Sequence, residues 1–346
     1  MPARDDTRTS DRFTDHFTNP FRAQRRRLTL AAGLALGSGL AGGRALAQPR
    51  DYATMLLPFP AGGAGDFLAR VLADRLKAEL GRNVVVDNRP GGATRIAGEA
   101  LRAAPGDGNT VLLSPVDPMF IVPAIYAGMR YDPLKEFKPI SDVAALQFGI
   151  AVAASSPHKT LQQYLQAAQA QPRQADVGIS LLGSLLHFLA VDFIAQAGTQ
   201  GVIVPYKGGA PMVTDLLGGQ VPAAMDASTS FIEFHRAGKI RMLAVSGEAR
   251  SANMPDVPTF AESGFPNLVA SSRYAVYARH DMPAERMAEW NRALRKVLAQ
   301  SDVQQKLFSA GYDNVPGSDS EAVVAFTDKA ARRWLPVIHK SGFKGT

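Results

Sequence analysis

Small and hydroxyl-bearing residues recur where predicted strands turn into predicted helices. The four segments are PFPAGGAGD (58–66), GISLLGSLLH (178–187), PYKGGAP (205–211) and MDAS (225–228). Such a turn exposes backbone N–H groups beside the positive end of a helix dipole, which suits a bound anion. Ser180 and Ser184 add hydroxyl donors for a carboxylate oxygen. The fourth segment follows a predicted strand, the end at which α/β proteins bind ligands. Their recurrence predicts an anion site, although each segment alone is a weak signal.

Each segment also has a purely structural explanation, and the sequence leaves it open. The glycines of 58–66 can serve only a tight turn, with Asp66 capping the helix that follows. Ser184 can be an N-cap serine, and Tyr206 with Lys207 can form a solvated turn. No Gly-Lys-Ser/Thr follows the glycines and no G-x-G-x-x-G occurs, so phosphate and dinucleotide sites are disfavoured.

An enzyme is not predicted. Ser184, His187 and Asp192 hold the residue types of a hydrolase triad, but Ser184 and His187 lie one turn apart on one predicted helix. The G-x-S-x-G elbow of serine hydrolases is missing. The six histidines show no H-E-x-x-H spacing, and the chain has no cysteine. We therefore assign no catalytic residue, no metal and no cofactor.

The segments lie in a chain of alternating predicted strands and helices. Predicted strands cover 52–58, 83–87, 110–113, 146–153, 175–179, 202–204, 221–225 and 240–245. Predicted helices cover 66–80, 94–104, 160–170, 184–197, 210–217, 284–299, 302–310 and 318–340. This alternation indicates doubly wound α/β structure with parallel strands.

Length and charge limit the class of protein. The 346 residues fit two lobes, and 46% hydrophobic with 20% charged residues is typical of a folded chain. The net charge is +7, but residues 1–47 hold eight arginines and four aspartates. About +3 therefore remains for the rest of the chain, which does not indicate nucleic-acid binding.

Residues 1–47 have the layout of a signal peptide. A polar segment ends in three arginines at 25–27, an apolar stretch covers 28–43, and Ala45-Leu46-Ala47 gives an A-x-A cleavage pattern. The apolar stretch is shorter than the roughly 20 residues that span a membrane. The arginines suggest twin-arginine export, although Sec export is not excluded by this pattern. The predicted location is periplasmic, with cleavage near Ala47.

The chain as a whole resembles the tripartite tricarboxylate transporter substrate-binding family, or Bug-type receptors. The matching runs are PFPAGGAGDFLAR (58–70), VVDNRPGGATRIAGEAL (85–101), GDGNTVLLS (106–114), YDPLKEFKPIS (131–141), GSLLHFLAVDF (183–193), VPYKGGAPMVTDLLGGQV (204–221), GKIRMLAVSGEARSANMPDVPTFAESGFP (238–266) and GYDNVPGS (311–318). The likeness covers nearly all of 50–343.

The resemblance implies a type II periplasmic-binding-protein fold, in which two doubly wound α/β lobes are joined by crossing strands with a ligand cleft between them. Lobe 1 is expected to cover 48–150 and 275–346, and lobe 2 to cover 151–274. The implied function is capture of a small carboxylate for a membrane transporter by a monomer. A sensor that reports to a signalling partner is the alternative. The ligand-binding residues that the resemblance implies are Phe59, Ala61, Gly62, Gly63, Asp66, Ser180, Gly183, Ser184, Tyr206, Lys207, Gly208 and Asp226.

The sequence departs from the family pattern in two places that bear on the ligand. Arg95 stands where the family has small residues, and Ser272-Arg273-Tyr274 stands where a tryptophan is common. Arg95 and Arg273 are candidates for contacts with an acidic ligand, although a surface position explains both equally well. His187 is expected to brace its loop rather than to contact the ligand.

Overall fold

The structure, a computed structural model, describes residues 52–313, 315 and 317–345. The predicted signal segment and its cleavage site lie outside these residues. Within the described part of the chain, no helix has the length and apolar character needed to cross a membrane.

Nine strands and eleven α-helices lie in the described residues. The strands are β1 (Tyr52–Leu57), β2 (Asn83–Asn88), β3 (Thr110–Pro115), β4 (Phe137–Ala153), β5 (Val177–Ile179), β6 (Ile203–Pro205), β7 (Ala223–Ala227), β8 (Ile240–Val245) and β9 (Ser271–Arg279). The helices are α1 (Ala64–Leu80), α2 (Arg95–Ala103), α3 (Pro118–Ile125), α4 (Pro133–Glu136), α5 (Leu161–Ala170), α6 (Leu185–Ala197), α7 (Gly209–Leu217), α8 (Ser228–Arg236), α9 (Ala284–Leu298), α10 (Ser301–Ser309) and α11 (Ser320–Ser341).

The first half of the sheet is built around parallel β1. This strand pairs with β2 on one side and β3 on the other, and β3 then pairs with antiparallel β9. Helix α1 crosses from β1 to β2 and buries Leu68, Leu72 and Leu76, which lie four residues apart on one face. It ends at Gly81, whose φ of 65° is the left-handed conformation that glycine adopts most easily.

The second half repeats this arrangement around β5, which is parallel to β6 and to β7. Helices α6 and α7 follow β5 and β6, so each begins near the carboxyl end of a strand. Strands β7 and β8 both pair antiparallel with β4. The predicted parallel pairing is thus confirmed for β1 to β3 and for β5 to β7. The predicted strands 146–153 and 240–245 correspond to β4 and β8, which are antiparallel, and β9 was not predicted.

Strand β4 connects the two halves. Its residues 137–147 pair with β9, and residues 148–153 pair with β7 and β8. One 17-residue strand therefore belongs to both parts of the sheet, which is the crossing connection of a two-lobed type II periplasmic-binding-protein fold. The lobe boundaries at 150 and 274 fall inside β4 and β9 and remain a prediction.

Most predicted elements agree with the structure within about two residues. The sequence reading placed only 146–153 of β4 in a strand and missed β9 entirely. It also missed α3, α4 and α8. Helix α3 is apolar on all sides and contains Pro123, so its sequence shows no 3.6-residue polar alternation.

Candidate functional site

A cavity of about 160 Å³ lies where the strand ends of the two sheet halves face each other. This volume resembles an engineered cavity of roughly 150 Å³ that holds a benzene molecule. The lining residues are Phe59, Pro115, Asp117, Leu146, Phe148, Ser180, Leu181, Ser184, Leu185, Leu186, Asp226, Ala227, Ser272 and Tyr274. Four of the sequence-predicted ligand residues therefore meet there, namely Phe59, Ser180, Ser184 and Asp226.

Asp226 is an acidic wall of the cavity, at the carboxyl end of β7. Its carboxylate is 5% exposed, and its Oδ1 accepts hydrogen bonds from Ser180 Oγ at 2.9 Å and from the Ala227 amide at 2.7 Å. Its buried Oδ2 lies on the side of Gly209 and Ser230, and the Ser230 hydroxyl also acts on this carboxylate as a hydrogen-bond donor. Burial raises the pKa of Asp226 to about 6, against the lowering effect of these donors. A Cβ on Gly209 would come within 3.1 Å of Oδ2, so α7 also approaches the carboxylate closely.

Asp117 is a second acidic wall, and it comes from the other half of the sheet. It precedes Pro118 of α3, but its side chain does not cap that helix. Its Oδ2 instead accepts a hydrogen bond of 2.7 Å from Ser272 Oγ of β9, and its buried Oδ1 has no partner among the described residues. Burial raises the pKa of this carboxyl to about 7. Each half of the sheet thus supplies one buried aspartate to the cavity wall.

Aromatic rings form part of the remaining wall. Phe59 and Tyr274 pack with their ring centroids 6.2 Å apart. Gly65, at the start of α1, lies against both rings, since a Cβ there would come within 3.1 Å of Phe59 and 3.2 Å of the Tyr274 hydroxyl. Burial and the charges of Asp117 and Asp226 raise the pKa of Tyr274. The two acids and this tyrosine therefore share one electrostatic environment.

The first turn of α6 forms part of the cavity wall. Leu185 and Leu186 line the cavity, and amides in the first helical turn have no intrahelical acceptor. Ser184 is the N-cap, since its Oγ accepts from the His187 amide at 3.4 Å and donates to Leu181 O at 2.8 Å. The Ser180 hydroxyl points to Asp226. Both serine hydroxyls thus bind protein acceptors, and the backbone amides remain as anion donors.

His187 braces this loop, as the sequence suggested. Its Nδ1 accepts a hydrogen bond of 3.3 Å from the amide of Gly183, whose φ is 72°. Burial lowers the pKa of His187 to about 4, so the ring is neutral at pH 7. Asp192 forms an ion pair with Arg333 at 2.9 Å instead of orienting the histidine. The residue types of a hydrolase triad are therefore not assembled into one.

Asp66 holds the glycine-rich loop 58–66 in place through hydrogen bonds. This carboxylate accepts hydrogen bonds from the Gly62 amide at 3.0 Å, Arg70 Nε at 2.8 Å and Asn88 Nδ2 at 3.0 Å. Arg70 is the main cause that lowers its pKa to about 2. Ala61, Gly62 and Gly63 are exposed and do not line the cavity. Asp66 shapes the loop through these bonds rather than from the cavity wall.

The third loop also lies apart from the cavity. The Tyr206 hydroxyl donates to Asp215 at 2.9 Å and faces a different hollow of about 850 Å³ between α5, β6 and α7. Lys207 is exposed, and the Gly208 amide donates to Ser180 O at 3.1 Å. We place the ligand site in the smaller cavity because the strand ends and the first turn of α6 meet there.

Neither candidate arginine lines the cavity. Arg95 stacks on Tyr126, with its guanidinium carbon 3.8 Å from the ring centroid. Arg273 forms an ion pair of 2.6 Å with Asp142 and stacks on Phe326. Both side chains are used in contacts within the fold.

Three polar lining residues are absent from the predicted ligand-binding set, namely Asp117, Ser272 and Tyr274. The sequence marked 272–274 as a place that bears on the ligand, but it singled out Arg273 there. A signal for Asp117 was present, because an aspartate followed by proline after a strand is typical of a helix start. Ser272 and Tyr274 lie on β9, where local sequence gave no strand assignment. Only the pairing of β9 with β3 and β4 brings them to the cavity.

Sequence comparison places this chain in a known receptor family. The sequence profile described as tripartite tricarboxylate transporter family receptor matches residues 68–343. BugT of Bordetella pertussis is 32% identical over 291 residues, which cover 84% of this chain and 89% of BugT.

Structural comparison gives the same result. The structure of R. palustris Rpa4515 with adipate is similar with a TM-score of 0.79 and 30% identity, over 86% of this chain and 99% of that one. The periplasmic binding protein BugD is similar with a TM-score of 0.76 and 26% identity, over 85% and 98% of the two chains. Two-lobed solute-binding proteins thus match nearly the whole described chain.

Proposed function

Because the chain belongs to the tripartite tricarboxylate transporter receptor family and is a solute-binding receptor, we propose that it captures a small carboxylate between its lobes outside the cytoplasmic membrane. The receptor then delivers the solute to the membrane subunits of a transporter. A lobe that closes over the bound solute would present the surface that these subunits recognise.

The observation that carries the carboxylate proposal is the first turn of α6. The amides of Leu185 and Leu186 have no intrahelical acceptor, and they lie at the wall of a cavity that also holds Ser180 and Ser184. A carboxylate bound there would gain these N–H donors and the positive end of the helix dipole. The adipate present in the Rpa4515 structure is a solute of this chemical class.

A thermal-shift screen of the purified protein against small carboxylic acids tests the capture step. A solute at one hundred times its dissociation constant adds about 2.7 kcal/mol of stability. We expect at least one carboxylate to raise the melting temperature in this way. A complete panel without a single shift would contradict capture of a carboxylate.

The position of the carboxylate is tested by Ser184→Ala with Thr160→Ala as the matched control. Thr160 caps α5 by accepting from the Gln163 amide at 3.2 Å, and it does not line the cavity. Each variant should lose about 1 kcal/mol of stability with its helix cap. Only Ser184→Ala should also weaken solute binding, by about 1–3 kcal/mol, because the first turn of α6 loses its orientation. Equal affinity in both variants would remove this turn from the site.

Delivery and export need a cellular measurement. Cells that lack the receptor should lose uptake of the labelled solute, and the wild-type gene should restore it. Unchanged uptake would argue against delivery to a transporter. The mass of the protein recovered from the periplasm should correspond to a chain that begins at Gln48 if the segment 1–47 is the proposed signal peptide.

A further inference from the structure

The last described residues of the chain form a strap that contacts both halves of the sheet. Helix α11 ends at Gly342, whose φ of 67° is the left-handed conformation that turns the chain away from the helix axis. Residues 342–345, the C-terminal strap, then run to the end of α3, where the Gly345 amide donates to Ile125 O at 2.9 Å. The strap therefore ends against an element of the first half, since α3 follows β3.

The same strap contacts the loop that precedes α6 in the second half. The ring of Phe343 lies edge-on against His187, with the ring centroids 4.7 Å apart, and its centroid is 6.1 Å from that of Phe188. It also lies against Gly183, because a Cβ on this glycine would come within 3.3 Å of Phe343 and within 3.0 Å of Ile125. The backbone at Gly183 is therefore enclosed between α3 and the strap.

These contacts fix the hydrogen bond that shapes the loop. His187 Nδ1 accepts from the Gly183 amide at 3.3 Å, and Gly183 has the left-handed φ of 72°. The imidazole packs against both Phe188 and Phe343, so packing sets the orientation of the ring and the direction of this bond. A fixed Gly183 in turn fixes the next residue, Ser184, which is the N-cap of α6.

Phe343 does not line the cavity, but the turn that it supports does. Leu185 and Leu186 of the first turn of α6 are lining residues, whereas no residue of the C-terminal strap is one. Amides at the first two helical positions have no intrahelical acceptor. They bind a carboxylate well only when the turn is held in the productive orientation. The strap is thus the outer support of the turn at which we place the solute.

The C-terminal strap is itself held in place on the side of α3. Gly345 lies directly on the ring of Tyr126, since a Cβ on this glycine would overlap with that ring. Arg95 stacks on Tyr126, with its guanidinium carbon 3.8 Å from the ring centroid, and its Nε donates to Gly92 O at 2.8 Å. Arg95, a candidate for a ligand contact by sequence, thus supports the ring on which the strap rests.

We propose that Phe343 is a positioning residue for the solute: through His187 and Gly183 it holds the first turn of α6 in the orientation that binds a carboxylate. This inference rests on the proposed function and adds to it a residue that lies outside the cavity. A turn that is already held in its bound orientation loses less conformational freedom when the solute arrives. The affinity therefore depends on the strap.

The test compares Phe343→Ala with Phe265→Ala as the matched control. Both rings are half-buried and pack on α6, Phe343 on its first turn and Phe265 on Phe193 near its end. Both variants should lower the melting temperature. In calorimetric titration with acetate, succinate, glutarate, adipate and benzoate, only Phe343→Ala should weaken binding of the acid that the wild type prefers, by on the order of tenfold. Phe343→Leu, which keeps an apolar side chain against His187, should restore most of the affinity.

Hydrogen exchange gives a second measurement, and it needs no solute. The Gly183 amide donates to His187 Nδ1, so its exchange, followed by NMR, should be slow in the wild type and in Phe265→Ala and faster in Phe343→Ala. Gly345→Ala tests the strap without changing Phe343, because the added Cβ overlaps with the Tyr126 ring and displaces the strap. It should change the affinity and the exchange in the same direction, by a smaller amount.

Failure of this inference is distinguishable from failure of the proposed function. Equal affinity in Phe343→Ala and Phe265→Ala, or unchanged exchange of the Gly183 amide in Phe343→Ala, overturns the positioning role and leaves the carboxylate receptor in place. Absence of binding by every acid to the wild type counts against the proposed function itself, and the exchange of Gly183 then decides whether Phe343 holds the loop.

Discussion

Replacement of Asp117 by asparagine should stabilise the protein, and increasingly so at higher pH. Burial raises the pKa of the Asp117 carboxyl in the folded state to about 7, from the ordinary aspartate value of about 3.9. The folded state therefore holds a proton that the unfolded state releases, and this acid makes stability fall as pH rises from about 4 to about 7. Asparagine can still accept the hydrogen bond from Ser272 Oγ and has no charge to bury.

The size of the effect follows from the same values. At about 1.4 kcal/mol per pKa unit, the raised pKa of Asp117 lowers the free energy of unfolding by about 2 kcal/mol at pH 5 and by about 4 kcal/mol at pH 8, as an upper limit. The stability gain of Asp117→Asn should thus grow by about 2 kcal/mol across this range. Urea unfolding at both pH values, without added solute, measures it, with the exposed Asp74→Asn as control. A gain that is the same at both pH values would refute the assignment of a buried, proton-binding carboxyl.

Three further predictions concern other contacts of the fold. His187→Gln should make the protein less sensitive to acid between pH 6.5 and 4. Burial lowers the pKa of His187 to about 4, so the free energy of unfolding of the wild type falls by up to about 3 kcal/mol as the pH drops through this window. Urea unfolding of both proteins at pH 7 and pH 4.5 would detect the difference. Arg273→Met should lower the free energy of unfolding by about 3 kcal/mol, because it removes the ion-pair partner, at 2.6 Å, of the Asp142 side chain, which is only 2% exposed. A double variant with Asp142→Leu should recover part of this loss. Gly65→Ala should weaken solute binding and change the melting temperature little, because the added Cβ presses on the aromatic wall of Phe59 and Tyr274. An unchanged affinity in calorimetry would contradict the placement of that wall.

Local pattern determined much of the fold. The predicted helices 66–80 and 160–170 are confirmed as α1 and α5, because apolar spacing and the N-cap Thr160 act within one or two helical turns. For Ser184 the sequence left a ligand contact and an N-cap open, and the structure shows the cap, in which Ser184 accepts from the His187 amide. The order of the glycine-rich turns also indicated the receptor family, which the family profile and BugT support. These features need no information from distant parts of the chain.

The site depended on contacts that sequence spacing does not encode. Asp117 and Ser272 are separated by 155 residues, and they meet only because β9 pairs antiparallel with β3. Ser180 and Asp226 meet because β5 and β7 lie side by side. A glycine-rich turn exposes amides wherever it occurs, whereas burial of two acids beside aromatic rings requires both halves of the sheet. The sequence by itself therefore predicted a site for a small anion, and only the tertiary structure decided which groups line the cavity where we propose that site.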